Sequence, residues 1–459
     1  MSRIVKPASP AGSTPTPVPP LSGRPTPRRF GAGEWRSVAL AAATLIPFGL
    51  VRFAGVGRGS PPVVALGIGV SIVAAAFFLT WATEALEVLI AAPVALAILA
   101  LVEVAPEYAF EVLLAYRQQV SLAAASMTGA NRLLLGLGWP LILVIAAIAA
   151  RRRGQRFTEV RLDARHAVAV AYLFAASCYA FVIVVKRTLS LVDSVVLVGI
   201  YGLYIYTGLQ SRKLAGDQAD LAGELATERD ELEESGVGAA TQALAPRWRA
   251  LALAAFLGTG AAVLLLGAEP FMDSLLATAR RSGVPEFALI QWIAPFLSEF
   301  PESLTAFLWA ATVTQAALGL GNLLSSKLNQ WTLLIAAIPI AYSVGAGHTA
   351  ALPLTVQSVD EIFLTAAQSL LGTVMLLTLR LRLRDALLLA GLFVVQFAIP
   401  VERVHVWIAW IYLGLALVYG LTYRRAIRDA DVLGNLRTVH LVRRMRAGRA
   451  SRPAASRPR

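Results

Sequence analysis

Apolar runs of about 20 residues recur along most of this chain, separated by short polar or basic stretches. A helix needs about 20 consecutive apolar residues to cross the hydrocarbon core of a bilayer, so this pattern predicts repeated membrane spans. The runs place spans at 37–54, 61–83, 87–116, 119–150, 165–185 and 188–207. After a polar interval they resume at 248–272, 284–314, 317–345, 360–380, 383–400 and 402–423. The reading is an all-α, polytopic membrane protein with about 12 transmembrane helices. Composition agrees: 57% of residues are hydrophobic and 15% charged, against about 25% charged in soluble domains.

The polar intervals divide the chain. Residues 1–35, rich in Pro, Ser, Thr and Arg with no apolar core, read as a disordered basic tail rather than a cleavable signal peptide. The first transmembrane half covers 36–207 and the second 248–423, with a basic tail at 424–459. Between the halves, 208–247 carries Asp217, Asp220, Glu224, Glu228, Asp230, Glu231, Glu233 and Glu234, which predicts an exposed, acidic, helix-prone linker.

Charge then sets orientation. Twelve spans put both termini on one side, together with Arg28-Arg29, Arg151-Arg152-Arg153, Arg380 to Arg384 and Arg424-Arg425. Basic loops face the cytoplasm, so the expectation is a multi-pass protein of the cell membrane with cytoplasmic termini and linker. The loop 346–358 lacks Lys and Arg and falls outside; Arg280-Arg281 is a mild exception. The net charge of +13 is thereby explained without nucleic acid, and no patch interleaves aromatic and basic residues. Cys178 is the only cysteine, and the four histidines lack metal-ligand spacing, so neither a disulfide nor a resident cofactor is expected. The expected partners are the lipid bilayer and inorganic cations, with the oligomeric state left open.

The chemistry lies in ionisable residues at membrane depth, which are costly and mark ion paths or substrate sites. Glu103-Val104-Ala105-Pro106-Glu107 in the first half is echoed by Ser298-Glu299-Phe300-Pro301-Glu302 in the second. Arg132 follows Pro106 by 26 positions, and Lys327 follows Pro301 by the same 26, a repeat without a gap. Under the twelve-span scheme the two copies run in opposite directions, as in transporters built from inverted repeats with a site near the midplane. Proline removes a backbone donor, and freed carbonyls can line a cavity. Glu103, Glu107 and Glu111 share a helix face, and Glu299 and Glu302 lie one turn apart. Hard cations take several oxygen ligands of mixed kind, and a shielded carboxylate can also exchange protons. The competing structural reading is that these acids pair with Arg132 and Lys327 and hold helices together.

At these residues the chain resembles the calcium/cation antiporter superfamily, which includes the sodium/calcium and cation/proton exchangers. Ala105-Pro106-Glu107 followed by Ala125-Ser126-Met127-Thr128-Gly129-Ala130-Asn131 looks like its first repeat. Phe300-Pro301-Glu302 followed by Gly319-Leu320-Gly321-Asn322-Leu323-Leu324-Ser325-Ser326 looks like its second. The approach from Gly267-Ala268-Glu269 through Ser282-Gly283-Val284-Pro285 is also similar to that family. The resemblance implies a 10-helix exchanger-like core with one extra helix at each end, and alternating access. It also implies Glu107 and Glu302 as central cation ligands, with Ser126, Asn131, Asn322 and Ser326 as neutral ligands. Glu103, Ser298 and Glu299 join this candidate set, although they stand where the family has Gly-Thr-Ser or Gly-Asn. Lys327 replaces a common Asn, and Arg132 takes the corresponding place in the first repeat. A cation fixed there would repel calcium; alternatively it neutralises an extra Glu or snorkels to the interface.

The leading expectation is thus a secondary antiporter exchanging calcium or sodium against sodium or protons, with paired glutamates at the midplane. The alternative is a non-transporting membrane sensor or scaffold that keeps the exchanger fold. An enzyme is not expected: no His-Glu-x-x-His, Gly-x-Ser-x-Gly or paired intramembrane Asp motif occurs.

Overall fold

The computed structural model describes residues 30–57, 59–86, 104–214, 236–430 and 432. They form helices linked by short turns and two minimal sheets. The helices are α1 (Ala32–Ala43), α2 (Ile46–Arg52), α3 (Pro61–Leu86) and α4 (Ala105–Tyr116). Next come α5 (Val120–Arg152), α6 (Ala167–Lys186), α7 (Leu191–Leu214) and α8 (Val237–Gln242). They are followed by α9 (Pro246–Ser282), α10 (Glu286–Ala311), α11 (Ala316–Ala346) and α12 (Val356–Leu376). The chain continues with α13 (Leu383–Ala398), α14 (Glu402–Thr422) and α15 (Arg424–Ala430). Among the described residues, nine stretches are long and apolar enough to cross a membrane. The predicted polytopic all-α architecture is what the chain adopts.

The duplication runs deeper than the motif. α5 and α11 each contain one π-helical turn, at Leu134–Gly138 and Gln330–Leu334. Each widened turn interrupts a long helix at the same distance from its start. Such turns are rare and gather at functional sites. The packing is reciprocal: α10 lies against α5, and α4 lies against the second part of α11. Each repeat therefore buries its first helix on the other repeat's second helix. α6 packs on its counterpart α12, which also packs on α14, while α9 runs along α3.

Four short strands complete the exchange: β1 (Glu159–Arg161), β2 (Thr188–Leu189), β3 (Leu352–Pro353) and β4 (Arg380–Arg382). β1 pairs antiparallel with β4, Val160 facing Leu381, and β2 pairs with β3, Leu189 facing Leu352. β1 precedes α6 and β2 follows it; β3 precedes α12 and β4 follows it. The two sheets thus sit at opposite ends of α6 and α12, each joining one half of the chain to the other.

Several boundaries differ from the expectations. The span 37–54 is broken into α1 and α2 by a turn at Thr44-Leu45, just before Pro47 in the first turn of α2. The expected linker 208–247 is shorter than its polarity suggested: α7 continues to Leu214 and α8 begins at Val237. Val237 and Ala240 of α8 are buried with Ala41, Phe78 and Phe256 because this end of the stretch is apolar and small. The acidic positions 217–234, the 1–29 tail, most of the 424–459 tail and the start of the 87–116 span lie outside the described residues. Glu269 pairs with Arg117 at the end of α4, beside Asp273 on the same guanidinium at 2.6 Å.

Candidate cation site

The two prolines act differently in the two repeats. Pro106 sits in the first turn of α4, where its missing N–H would be unpaired anyway, so it starts the helix rather than breaking it. Glu107 follows in that turn, among amide groups that lack helical acceptors, and its carboxylate bonds its own backbone amide. Pro301 lies inside α10, which continues through it, and Pro295 lies in the same helix, less than two turns earlier. The helix thus loses ladder bonds without breaking: each proline frees the carbonyl four residues before it. For Pro295 that carbonyl belongs to Gln291, and it packs against Gly129 of α5 so closely that a Cβ there would lie 1.8 Å from the oxygen.

The acids converge. Glu107 lies beside Ser298, and Glu111, one turn along α4, lies beside Ser126 of α5. Glu299 is within electrostatic range of Glu107, Glu302 and Lys327, and accepts a hydrogen bond from Gln330 Nε2 at 3.3 Å. Glu302 accepts from Ser326 Oγ at 2.8 Å and from Asn322 Nδ2 at 3.3 Å. Glu111, Glu107, Glu299 and Glu302 thus form a chain of carboxylates drawn from both repeats, with Ser126, Ser298, Asn322 and Ser326 alongside. Glu107, Glu111 and Glu299 are buried, and each has at least one carboxylate oxygen with no hydrogen-bond donor among the described residues. Like charges this close, shielded from water, call for a cation or proton to balance them. Among the described residues no three His, Cys, Asp or Glu side chains are already set as a metal cage. Glu103 lies outside the described residues.

The two basic residues part company. Arg132 is wholly buried and pairs with Glu361 of α12 at 2.6 Å, with its guanidinium over the Trp292 ring. Glu361 also accepts from Gln291 Nε2 at 3.1 Å and meets His405 Nδ1 of α14 at 2.8 Å. The other nitrogen of His405 meets the Gln396 carbonyl at 2.9 Å. Among the described residues the ion pair of Arg132 is thus to Glu361 and not to an acid of the carboxylate chain. Lys327, equally buried, donates to Asn131 Oδ1 at 2.7 Å and to its carbonyl at 3.2 Å, with Nζ over the Trp331 ring. The amide of Asn131 is therefore already engaged, and its Nδ2 donates to the Met127 carbonyl.

Sequence reasoning missed Gln330, Gln291, Glu361 and His405. Glu361 had a legible signal, as an acid inside the apolar run of α12; the other three had none beyond polarity. The equivalence drawn between Arg132 and Lys327 also needs correction. α4 and α10 end 195 positions apart (Tyr116, Ala311), but α5 and α11 begin 196 apart (Val120, Ala316), as do the π turns. The turn 312–315 is one residue longer than 117–119. Past that insertion Lys327 matches Asn131, and Asn322 matches Ser126.

Comparison with known proteins accords with this geometry. A sequence family described as sodium/calcium exchanger protein matches residues 60–209 and 252–422. Among solved structures, the H+/Ca2+ exchanger CAX is 33% identical, with a TM-score of 0.78 over 89% of this chain and 98% of that one. The selenium-substituted Ca2+/H+ antiporter protein YfkE is 16% identical, with a TM-score of 0.55 over 78% of this chain and 99% of that one. Native YfkE gives 16% and 0.52 over 79% and 98%; these two likenesses bear on the fold alone. No curated protein matches the chain. With the family matching most of the chain, this protein belongs to the sodium/calcium exchanger family: a multi-pass membrane transporter of inorganic cations, and not an enzyme.

Proposed function

We propose that this chain is a calcium–proton antiporter working by alternating access, with Glu107 and Glu302 as the central ion-binding groups. The observation that carries the reading is the chain of four carboxylates contributed by α4 and α10, three of them buried with oxygens that no donor among the described residues reaches. A divalent cation would take oxygens from Glu107 and Glu302, aided by Ser298, Glu299, Ser126, Asn322 and Ser326. When it leaves, a proton on each of two carboxylates keeps the charge of the chamber unchanged. Protons are favoured as the counter-ion by the 33% identity to an H+/Ca2+ exchanger over 89% of the chain. Rocking of one repeat against the other would expose the chamber to either side. The membrane is read as the cell membrane, with both termini cytoplasmic.

Proteoliposomes under imposed proton, sodium and calcium gradients test this. Calcium uptake should follow an outward proton gradient, and Glu107→Gln or Glu302→Gln should reduce it to background while the protein remains monodisperse. Wild-type flux in both variants would refute the assignment. Absence of any flux in the unaltered protein would favour the sensor or scaffold reading. The close pairing of Arg132 with Glu361, rather than with these acids, speaks against it.

A further inference from the structure

The match of Lys327 to Asn131 across the repeats has a chemical consequence. An exchanger of two like halves would place an amide from each half at this level. Here the second half contributes an ammonium, and that ammonium takes the oxygens of the first half's amide residue. Nζ lies 2.7 Å from Asn131 Oδ1 and 3.2 Å from the Asn131 carbonyl, with Glu299 in electrostatic range. A carbonyl, an amide oxygen and a nearby carboxylate are the oxygen ligands that a monovalent cation takes. Among the described residues Lys327 makes no close ion pair of the kind that binds Arg132 to Glu361, so its charge is shared with the carboxylate chain. The side chain is wholly buried, so water cannot supply that balance.

We propose that Lys327 is a tethered cation: its ammonium occupies the place of a transported monovalent ion, making exchange by this chain independent of sodium. The inference rests on the antiporter reading and adds the reason for its ion selectivity. Lys327 acts on selectivity by position, satisfying Asn131 and offsetting one carboxylate of the four, which leaves the others for the exchanged ions. Removing the ammonium while keeping an amide would restore an open oxygen-lined place next to an unbalanced Glu299. Sodium could enter it.

The test measures calcium uptake into proteoliposomes with sodium varied from none to saturating at fixed pH on both sides, with Glu107→Gln as the blank. The unaltered protein should show calcium uptake that changes less than twofold with sodium. Lys327→Asn should gain a sodium dependence of tenfold or more, as stimulation by a sodium gradient or as competition with calcium. If Lys327→Asn does not fold, Lys327→Gln, with a longer neutral chain, replaces it. Lys327→Arg, which keeps the charge, should remain indifferent to sodium. Sodium-driven uptake in the unaltered protein, or a Lys327→Asn or Lys327→Gln variant that transports but ignores sodium, would overturn the proposal. Both outcomes leave a cation antiporter with Glu107 at its site standing, although the first would replace the proton by sodium as the counter-ion. That reading fails separately, if the unaltered protein moves no calcium or if Glu107→Gln matches it.

Discussion

Gly129 shows how much one hydrogen atom in place of a side chain can decide. The carbonyl it faces belongs to Gln291 and is free because Pro295 has no N–H to offer it. Gly129→Ala should force α5 and α10 apart, costing about 1–3 kcal/mol of stability. The thermal midpoint of the detergent-solubilised protein measures this; an unchanged midpoint would mean the helices cross less closely than described. Arg132 makes a second residue-scale prediction. Arg132→Met leaves Glu361 buried without its partner, and loss of one member of a buried pair costs about 3–5 kcal/mol. A double variant that also carries Glu361→Gln should recover most of the loss in the same melting experiment; additive losses would show that the two residues act independently. At this scale Glu107 and Glu302 were legible because their Pro-Glu context is duplicated. The fate of the bases was not: a side chain's partner comes from helices far apart in sequence, and Arg132 finds Glu361 of α12 rather than any acid in its own repeat.

Among the elements, the informative ones are short. The π turns and the unequal connections 117–119 and 312–315 are invisible to hydropathy, since one extra residue in a turn leaves the apolar runs intact. A comparison without gaps therefore aligned Arg132 with Lys327, whereas the helix starts align Asn131 with it. The strands were equally hidden, because two or three residues joined across the chain carry no periodicity. They do support a direct test. Facing residues of an antiparallel pair have Cα atoms about 4.5–5.5 Å apart, inside the range a disulfide spans. With Cys178 replaced by Ser, Val160→Cys with Leu381→Cys should crosslink under mild oxidation. Protease cleavage between the halves, followed by non-reducing electrophoresis, reads the result. Two separate fragments would rule out the β1–β4 pairing.

For the whole molecule, the alternation of apolar spans and basic loops was enough to predict a polytopic helical protein, and the repeated Pro-Glu context to predict its duplicated halves. It could not show that the halves are interlocked, each laying its first helix on the other's second. The two sheets give this arrangement a test of sidedness. A lone cysteine at Arg161 should react with a membrane-impermeant thiol reagent only from the cytoplasmic side of oriented vesicles. A lone cysteine at Thr188 should react only from the outer side. Labelling of both from one side would place the strand pairs on the same face and undo the opposed arrangement.

The extra residue at 312–315 reaches beyond numbering. Two mirrored halves with identical side chains would hold the inward-open and outward-open shapes at equal energy, leaving only the gradients to choose between them. If the carrier alternates as proposed, Asn131 on one side and Lys327 on the other would remove that degeneracy and give the empty carrier a preferred way to face.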